Sequence, residues 1–362
     1  HIQRINRFGF QVFRHISVHN AVSNAFGNGG FTHAGFTHQD GVILGSAGQD
    51  MQGTADFLIV LREQLRPVPP AHFTQKEQKG AYVYAALQQQ ARSTQQRVWA
   101  LLRSHGAAAN AFCVVNAVSV RKGNATLAHA LAAMPEVAAL ISDPVIHLNL
   151  LPPVSDAGVR ERSIEWGVAR IGAPEVWQRG YTGSGITIGG ADTGYDWEHP
   201  AIRPHYRGYK GDGVAADHAY NWHDAIHTQS PLNGDANNPC GFDIKSPCDD
   251  QTHGTHTMGT MTGDDGQGNQ IGVAPGAQWI GCRNMERGWG QPSTYLECFE
   301  WFLTPTDTAG LSPRPDKAPH VINNSWYCAV SEGCTDRAVD TLLEIAVTNL
   351  KRAGIFVVVS NG

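Results

Sequence analysis

Charge is scarce in this chain. Of 362 residues, 27 are Lys or Arg and 32 are Asp or Glu, so charged residues make up 16% and the formal net charge is −5; an average domain carries roughly a quarter. That scarcity excludes a disordered, charge-swollen chain and a solvated helical rod. The mildly acidic balance excludes nucleic-acid binding by bulk charge. No apolar run reaches the roughly 18 residues of a membrane-spanning helix, so no membrane partner is expected. No Cys-x-x-Cys occurs, which leaves zinc-ribbon and thioredoxin readings without their spacing. The first 20 residues carry Arg4, Arg7 and Arg14 but no apolar core, so no export signal is readable. Residues 1–50 contain no Lys, Glu, Pro, Cys, Trp or Tyr, and they show no helical or strand period. They read as a poorly ordered leader or as sequence extraneous to the functional protein. The chain opens on His1 and its first Met is Met51, which suggests a start other than the gene's own.

Glycine, by contrast, is abundant, at 40 residues, and apolar residues make up 41%. This composition suits a compact, loop-rich globular protein, and the length leaves room for two domains or three. Seven Cys are present: Cys113 alone, and three neighbouring couples, Cys240 with Cys248, Cys282 with Cys298, and Cys328 with Cys334. Pairing by proximity would make three disulfides and place the protein in an oxidising compartment. The alternative is ordinary buried thiols.

Residues 55–148 read as a small α/β unit. The stretch 55–63 is a short apolar strand, and 75–104 has apolar positions at helical spacing and no Pro, a single long helix ending near Gly106. A β-branched stretch, 111–121, reads as two strands or a hairpin around Asn116; 126–134 is a second helix stopped by Pro135; 136–144 closes with a strand. The order β-α-β-β-α-β is that of a ferredoxin-like α+β sandwich. Residues 149–163, with Pro, Gly and three successive charges at Arg160–Arg162, read as an exposed linker. From Ile164 onward strands (186–192, 318–326, 355–362) alternate with helices (254–263, 335–354), which implies a parallel sheet with helices on both faces. The run Ile355–Val359 reads as a strand buried in that sheet. In such sheets the active site lies at the carboxyl ends of the strands.

The chemistry-bearing residues fall there. Asp192 stands where an apolar strand gives way to Thr-Gly. Buried, it would need a partner, and an imidazole suits it, because the carboxylate fixes the ring's tautomer and stabilises its cation. Taken alone, it reads first as a turn or capping Asp. His253, in Asp-Asp-Gln-Thr-His-Gly-Thr-His, lies at the start of a helix, whose dipole disfavours the imidazolium and leaves a free base. His256 follows one turn later, and His223 and His227 stand at i, i+4. Neither pair has the Glu of H-E-x-x-H, so these extra histidines read as hydrogen-bonded structural or surface residues rather than metal ligands.

The succession Asp192-Thr-Gly, His253-Gly-Thr-His-Thr-Met-Gly-Thr, Gly272-Val-Ala-Pro and Val321-Ile-Asn-Asn-Ser-Trp resembles a subtilisin-like serine peptidase, a subtilase, most nearly the large secreted bacterial subtilases of the bacillopeptidase F kind. The order acid, base, then serine also matches. The resemblance implies a serine endopeptidase acting on protein or peptide substrates, with Asp192 orienting the base His253. Ser325 and Trp326, with Gly288 and Gly290 opposite, would be the walls on which a substrate strand pairs. It implies that residues 55–148 are the enzyme's own propeptide, that 149–163 is cut in processing, that 164–362 is the N-terminal part of the catalytic domain, and that the protein is secreted. No cofactor is required; Ca²⁺ is conceivable as a structural ion in the loop Asp264-Asp265-Gly-Gln-Gly-Asn. The family's nucleophile motif, Gly-Thr-Ser-x-Ala, occurs nowhere in these residues, and Asn361 falls one position short of the oxyanion Asn. Tyr327 and Ala201 also depart from the family pattern. The expectation is a sequence cut before the catalytic Ser and inactive by itself, or alternatively a pseudopeptidase or a propeptide-type inhibitor and chaperone.

Overall fold

A computed structural model describes residues 53–148, 163–230, 233–234, 238–326 and 337–360. The expectations for residues 1–50, the linker, Tyr327, Asn361 and the couple Cys328 with Cys334 lie outside the described residues. Along the chain run β1 (Thr54–Leu61), α1 (Lys76–Thr94), α2 (Gln96–Ser104), β2 (Ala108–Phe112), β3 (Ala117–Asn124), α3 (Ala125–Ala132), β4 (Val137–Ser142) and β5 (Ile146–His147). Then follow the short helices α4 (Trp166–Arg170) and α5 (Ala173–Gln178), β6 (Thr187–Asp192), β7 (Trp222–Asp224), α6 (His253–Thr262), β8 (Gln278–Arg283), β9 (Met285–Glu286) and β10 (Trp289–Gly290). α7 (Pro292–Leu303), β11 (Val321–Asn324), α8 (Arg337–Arg352) and β12 (Phe356–Val359) complete the order.

These elements form two compact units. Of the described residues, one takes 53–146 together with Gln291–Glu300 and α8; the other takes the rest. In the first, an antiparallel sheet has the order β2-β3-β1-β4, the ferredoxin-like arrangement. Phe57, Ile59 and Leu61 of β1 alternate onto Val98 and Leu102 of α2 and Leu127 and Leu131 of α3. Leu58 and its cross-strand partner Ile141 are also buried, so the sheet is covered on both faces. The single helix expected over 75–104 is two helices, broken at Gln95. Its side chain is buried and its Nε2 donates to the Phe112 carbonyl (3.0 Å) and to Asn116 Oδ1 (2.9 Å). A residue bonded into the β2–β3 turn cannot sit on the solvent-facing arc that helical periodicity assigns it.

The same unit contains the early part of α7. Asp143 Oδ1 accepts from the Ser293 amide (2.9 Å) at the start of that helix. At its other end, Glu300 accepts from the amides of Cys113 (3.0 Å) and Val114 (2.6 Å). Asn349 of α8 donates to the Val114 carbonyl (2.9 Å).

The second unit is built on a parallel sheet of order β12-β11-β6-β8-β7. β6 lies at its centre with every residue buried. Tyr195, Tyr206, Trp222 and Trp279 form an aromatic core with Met258 and Ile202. The apolar run in β12, expected to be buried, is an edge strand among the described residues: Phe356 is 62% and Val358 49% exposed. Its only described neighbour is β11, and length and apolarity cannot distinguish an edge from an interior position. Strands β7 to β10 and helix α7 gave no clear period in the sequence, because most are two to six residues long.

Candidate active site

Asp192 is the last residue of β6, 1% exposed, and His253 is the first of α6. The structure joins them: His253 Nδ1 donates to Asp192 Oδ1 at 2.6 Å. The same carboxylate accepts from the Thr193 amide (2.8 Å) and from Thr257 Oγ1 (3.2 Å). A buried carboxylate supplied with donors in this way is a satisfied anion rather than an orphan. Two glycines make the approach of strand and helix possible. A Cβ on Gly194 would stand 1.9 Å from the Cys248 carbonyl oxygen, and one on Gly254 would stand 2.0 Å from the Gly194 oxygen. No side chain fits either place.

A second carboxylate, which pattern reading passed over, organises this junction. Asp249 accepts from Thr193 Oγ1 (2.9 Å) and from the amides of Thr252 (2.8 Å) and Thr255 (2.9 Å). It thereby ties the residue after Asp192 to the residues flanking His253 and supplies the start of α6 with an acceptor. The signal was legible: an Asp three residues before Thr252, just ahead of the helix start. Thr252 itself has a left-handed backbone, φ 73°, a strained conformation for a β-branched residue, next to His253.

The electrostatics differ from the helix-dipole expectation. Burial pushes the His253 imidazole down, but the hydrogen bond and charge of Asp192, joined by the charge of Asp249, more than offset it, and the net direction is up. A helix terminus already covered by Asp249 does not repel an imidazolium as a bare one would.

The other predicted site residues fall as follows. Trp326 Nε1 donates to the carbonyl of Ala191 (3.0 Å), the residue before Asp192. Ser325 Oγ accepts from Asn323 Nδ2 (2.7 Å). Gly288 and Gly290 flank Trp289 at β10, which pairs with β9 and, on its other side, with β5. The Gly288 carbonyl accepts from the Leu148 amide (2.8 Å), so an extended segment of the chain already lies along this edge. His223 stacks on Trp301 (5.8 Å between centroids), and His227 Nδ1 pairs with Asp243 Oδ1 (2.5 Å). His256 is exposed. Among the described residues no group of three or more His, Cys, Asp or Glu is placed to hold a metal ion. In the loop proposed for Ca²⁺, the carboxylates of Asp264 and Asp265 are turned onto the amides of Gly266 and Gln267 (both 2.8 Å) rather than toward a common point.

Beneath the site lies Arg283, at the end of β8 opposite Asp192 and fully buried. It pairs with Asp250 (2.5 Å) and Asp224 (3.4 Å) and donates to the Gly241 carbonyl (2.9 Å). Cys240 and Cys248 form a disulfide, and Cys282 and Cys298 are each disulfide-bonded. Cys113 is the free thiol of the described residues.

A parallel sheet with a carboxylate–imidazole pair at the carboxyl end of its central strand is the arrangement of a subtilisin-like fold. Residues 183–362 match the subtilase family, Peptidase_S8, and the chain belongs to that family through this domain. It is similar to bacillopeptidase F of Bacillus subtilis (strain 168), 41% identical over 165 residues that make up 45% of this chain and 10% of that protein. It is 28% identical to the major intracellular serine protease of the same organism over 218 residues, 59% of this chain and 54% of that one. The chain thus spans a tenth of the first relative and about half of the second. In fold it is similar to the epidermin leader peptide processing serine protease (S393A mutant) of Staphylococcus aureus, with a TM-score of 0.51 and 14% identity over 85% of this chain and 60% of that one.

Proposed function

We propose that this chain is part of a serine endopeptidase zymogen. The carrying observation is the 2.6 Å bond from His253 to Asp192 in a subtilase domain. With its Nδ1–H held by the carboxylate, the imidazole presents Nε2 as a general base, and the buried anion stabilises the imidazolium formed when a serine hydroxyl gives up its proton. The reading requires a serine within reach of His253; the motif that would supply it is not among these residues. Substrate would lie as an added strand between Gly288–Gly290 and Ser325–Trp326, and the Leu148 amide on the Gly288 carbonyl supports the first of those walls. Residues 55–148 would be the propeptide, 149–163 the processed linker and 164–362 catalytic-domain sequence.

Secretion rests on the disulfides, which persist in oxidising compartments, although one relative carries the name of an intracellular protease. Among the described residues no helix is long and apolar enough to cross a membrane.

The test is labelling of the whole protein by a fluorophosphonate. A serine adduct that disappears in His253→Ala supports the peptidase. Absence of an adduct in a folded, processed protein supports the non-catalytic alternative, a pseudopeptidase or inhibitor.

A further inference from the structure

The strand Trp289–Gly290, which lies between β9 and β5, has one side chain to offer. Gly288 precedes it with φ 83°, and Gly290 follows. Backbone pairing on the β5 side is blind to sequence, so discrimination here falls to Trp289. Its ring is occupied: His147 lies against it with ring centroids 4.2 Å apart and planes tilted by 41°. The neighbouring Leu148 amide makes the 2.8 Å bond to the Gly288 carbonyl. The position of the indole is fixed from behind. Trp289 pairs across the hairpin with Glu286, whose buried carboxylate accepts from the Ser230 amide (2.6 Å) and Asn238 Nδ2 (3.2 Å). The turn residue Arg287, at φ 49°, donates its amide to Asp250 Oδ1 (2.8 Å), and Asp250 is held in turn by Arg283. Two anchored carboxylates, Glu286 and Asp250, tie this two-residue strand and its turn to other loops of the same unit.

We propose that Trp289 is a specificity-determining residue of the cleft, selecting a planar side chain, aromatic or guanidinium, at the substrate position that His147 occupies here. The inference rests on the peptidase reading for the word substrate. The chemistry is general: an indole face favours offset or tilted rings and the flat, weakly hydrated guanidinium over a branched alkyl group. An aromatic pair of this kind amounts to about a threefold to tenfold preference.

The test uses the full chain and reads hydrogen exchange of the Leu148 amide, with the amides of Ile188 and Gly189 in β6 as folding controls. Trp289→Ala should speed Leu148 exchange about threefold to tenfold. His147→Phe and His147→Arg should stay close to the parent, and His147→Ile should match Trp289→Ala. In the Trp289→Ala background the identity of residue 147 should cease to matter. Blocked pentapeptides Pro-Val-Ile-X-Leu, added to the parent chain, should displace the segment at lower concentration for X = Phe or Arg than for X = Ile. Equal protection by Ile and Phe, equal displacement by all three peptides, or differences at residue 147 that persist without the indole would overturn the proposal. Because every readout is binding, failure of fluorophosphonate labelling would sink the peptidase reading while leaving this ranking to be judged by itself.

Discussion

At the scale of single residues, the Asp192–His253 pair divides its work by burial. Asp192 is enclosed and fully bonded, whereas the imidazole keeps 16% of its side-chain surface in water. Net interaction with the two carboxylates raises the imidazole, so the folded protein holds a proton on His253 more tightly than the unfolded chain does. That increment of stability is fully present below the ordinary histidine value and is lost as pH rises through the folded one. Asp192→Asn removes the negative partner and the best acceptor for Nδ1–H. We expect the His253 titration, followed by its ring proton resonances, to move down. An unchanged midpoint would show that Asp249 alone sets it. Asp249 is also where residue-level reading fell short. Its place three residues before Thr252 marks it as an acceptor for the helix start, but its bond to Thr193, across the junction, is not revealed by proximity in sequence.

At the scale of elements, the interesting events are at ends and breaks. Gln95 interrupts what would be a 29-residue helix from Lys76 to Ser104 because its amide is needed at the β2–β3 turn. Gln95→Ala should leave the Phe112 carbonyl and Asn116 Oδ1 short of a donor and cost about 1–3 kcal/mol in urea unfolding. The reverse outcome, a gain in stability, would mean that continuity of the helix outweighs the turn. Asp143 stands at the start of α7. Burial pushes its carboxyl up to about 7, against the opposing pull of Ser293. Relative to the unfolded chain, for which roughly 3.9 is usual, the folded form takes up a proton between these values. Its contribution is therefore complete at acid pH and is lost as pH rises through 7. Unfolding free energies from about pH 5 to about pH 8 should decline more steeply in the parent than in Asp143→Asn, in which this position no longer titrates. Parallel curves would show that Asp143 titrates normally.

At the scale of the molecule, the order of the major strands and helices was legible, because long periodic segments and strand-end motifs carry their own signal. The central strand β6 and the amphipathic α8 show this best. What was not legible depended on neighbours. β12 has the composition of an interior strand and, among the described residues, has a neighbour on one side only. The first compact unit includes Gln291–Glu300 and α8, some 150 residues or more beyond its own sheet. The short strands β9 and β10, which carry Trp289, are held by carboxylates from other loops and show no alternation. Arg283 is the extreme case. An apolar strand ending in Arg reads as a strand reaching solvent, yet this Arg is enclosed by Asp224, Asp250 and the Gly241 carbonyl. Arg283→Met should strand two buried carboxylates and cost about 3–5 kcal/mol, seen as a fall in Tm. A change within 1 °C would show that water reaches the pair.

That buried guanidinium also joins parts of the chain that lie far apart in sequence. Its partners, Asp224 at the end of β7, the Gly241 carbonyl and Asp250, precede it by some 30 to 60 residues. Closing those loops costs chain entropy, which the contacts to this one cation help to offset. Asp250 also holds the Arg287 amide of the Trp289 hairpin, and its neighbour Asp249 holds the amides of Thr252 and Thr255 around His253. Adjacent carboxylates on one loop thus serve the base on one side and the hairpin on the other.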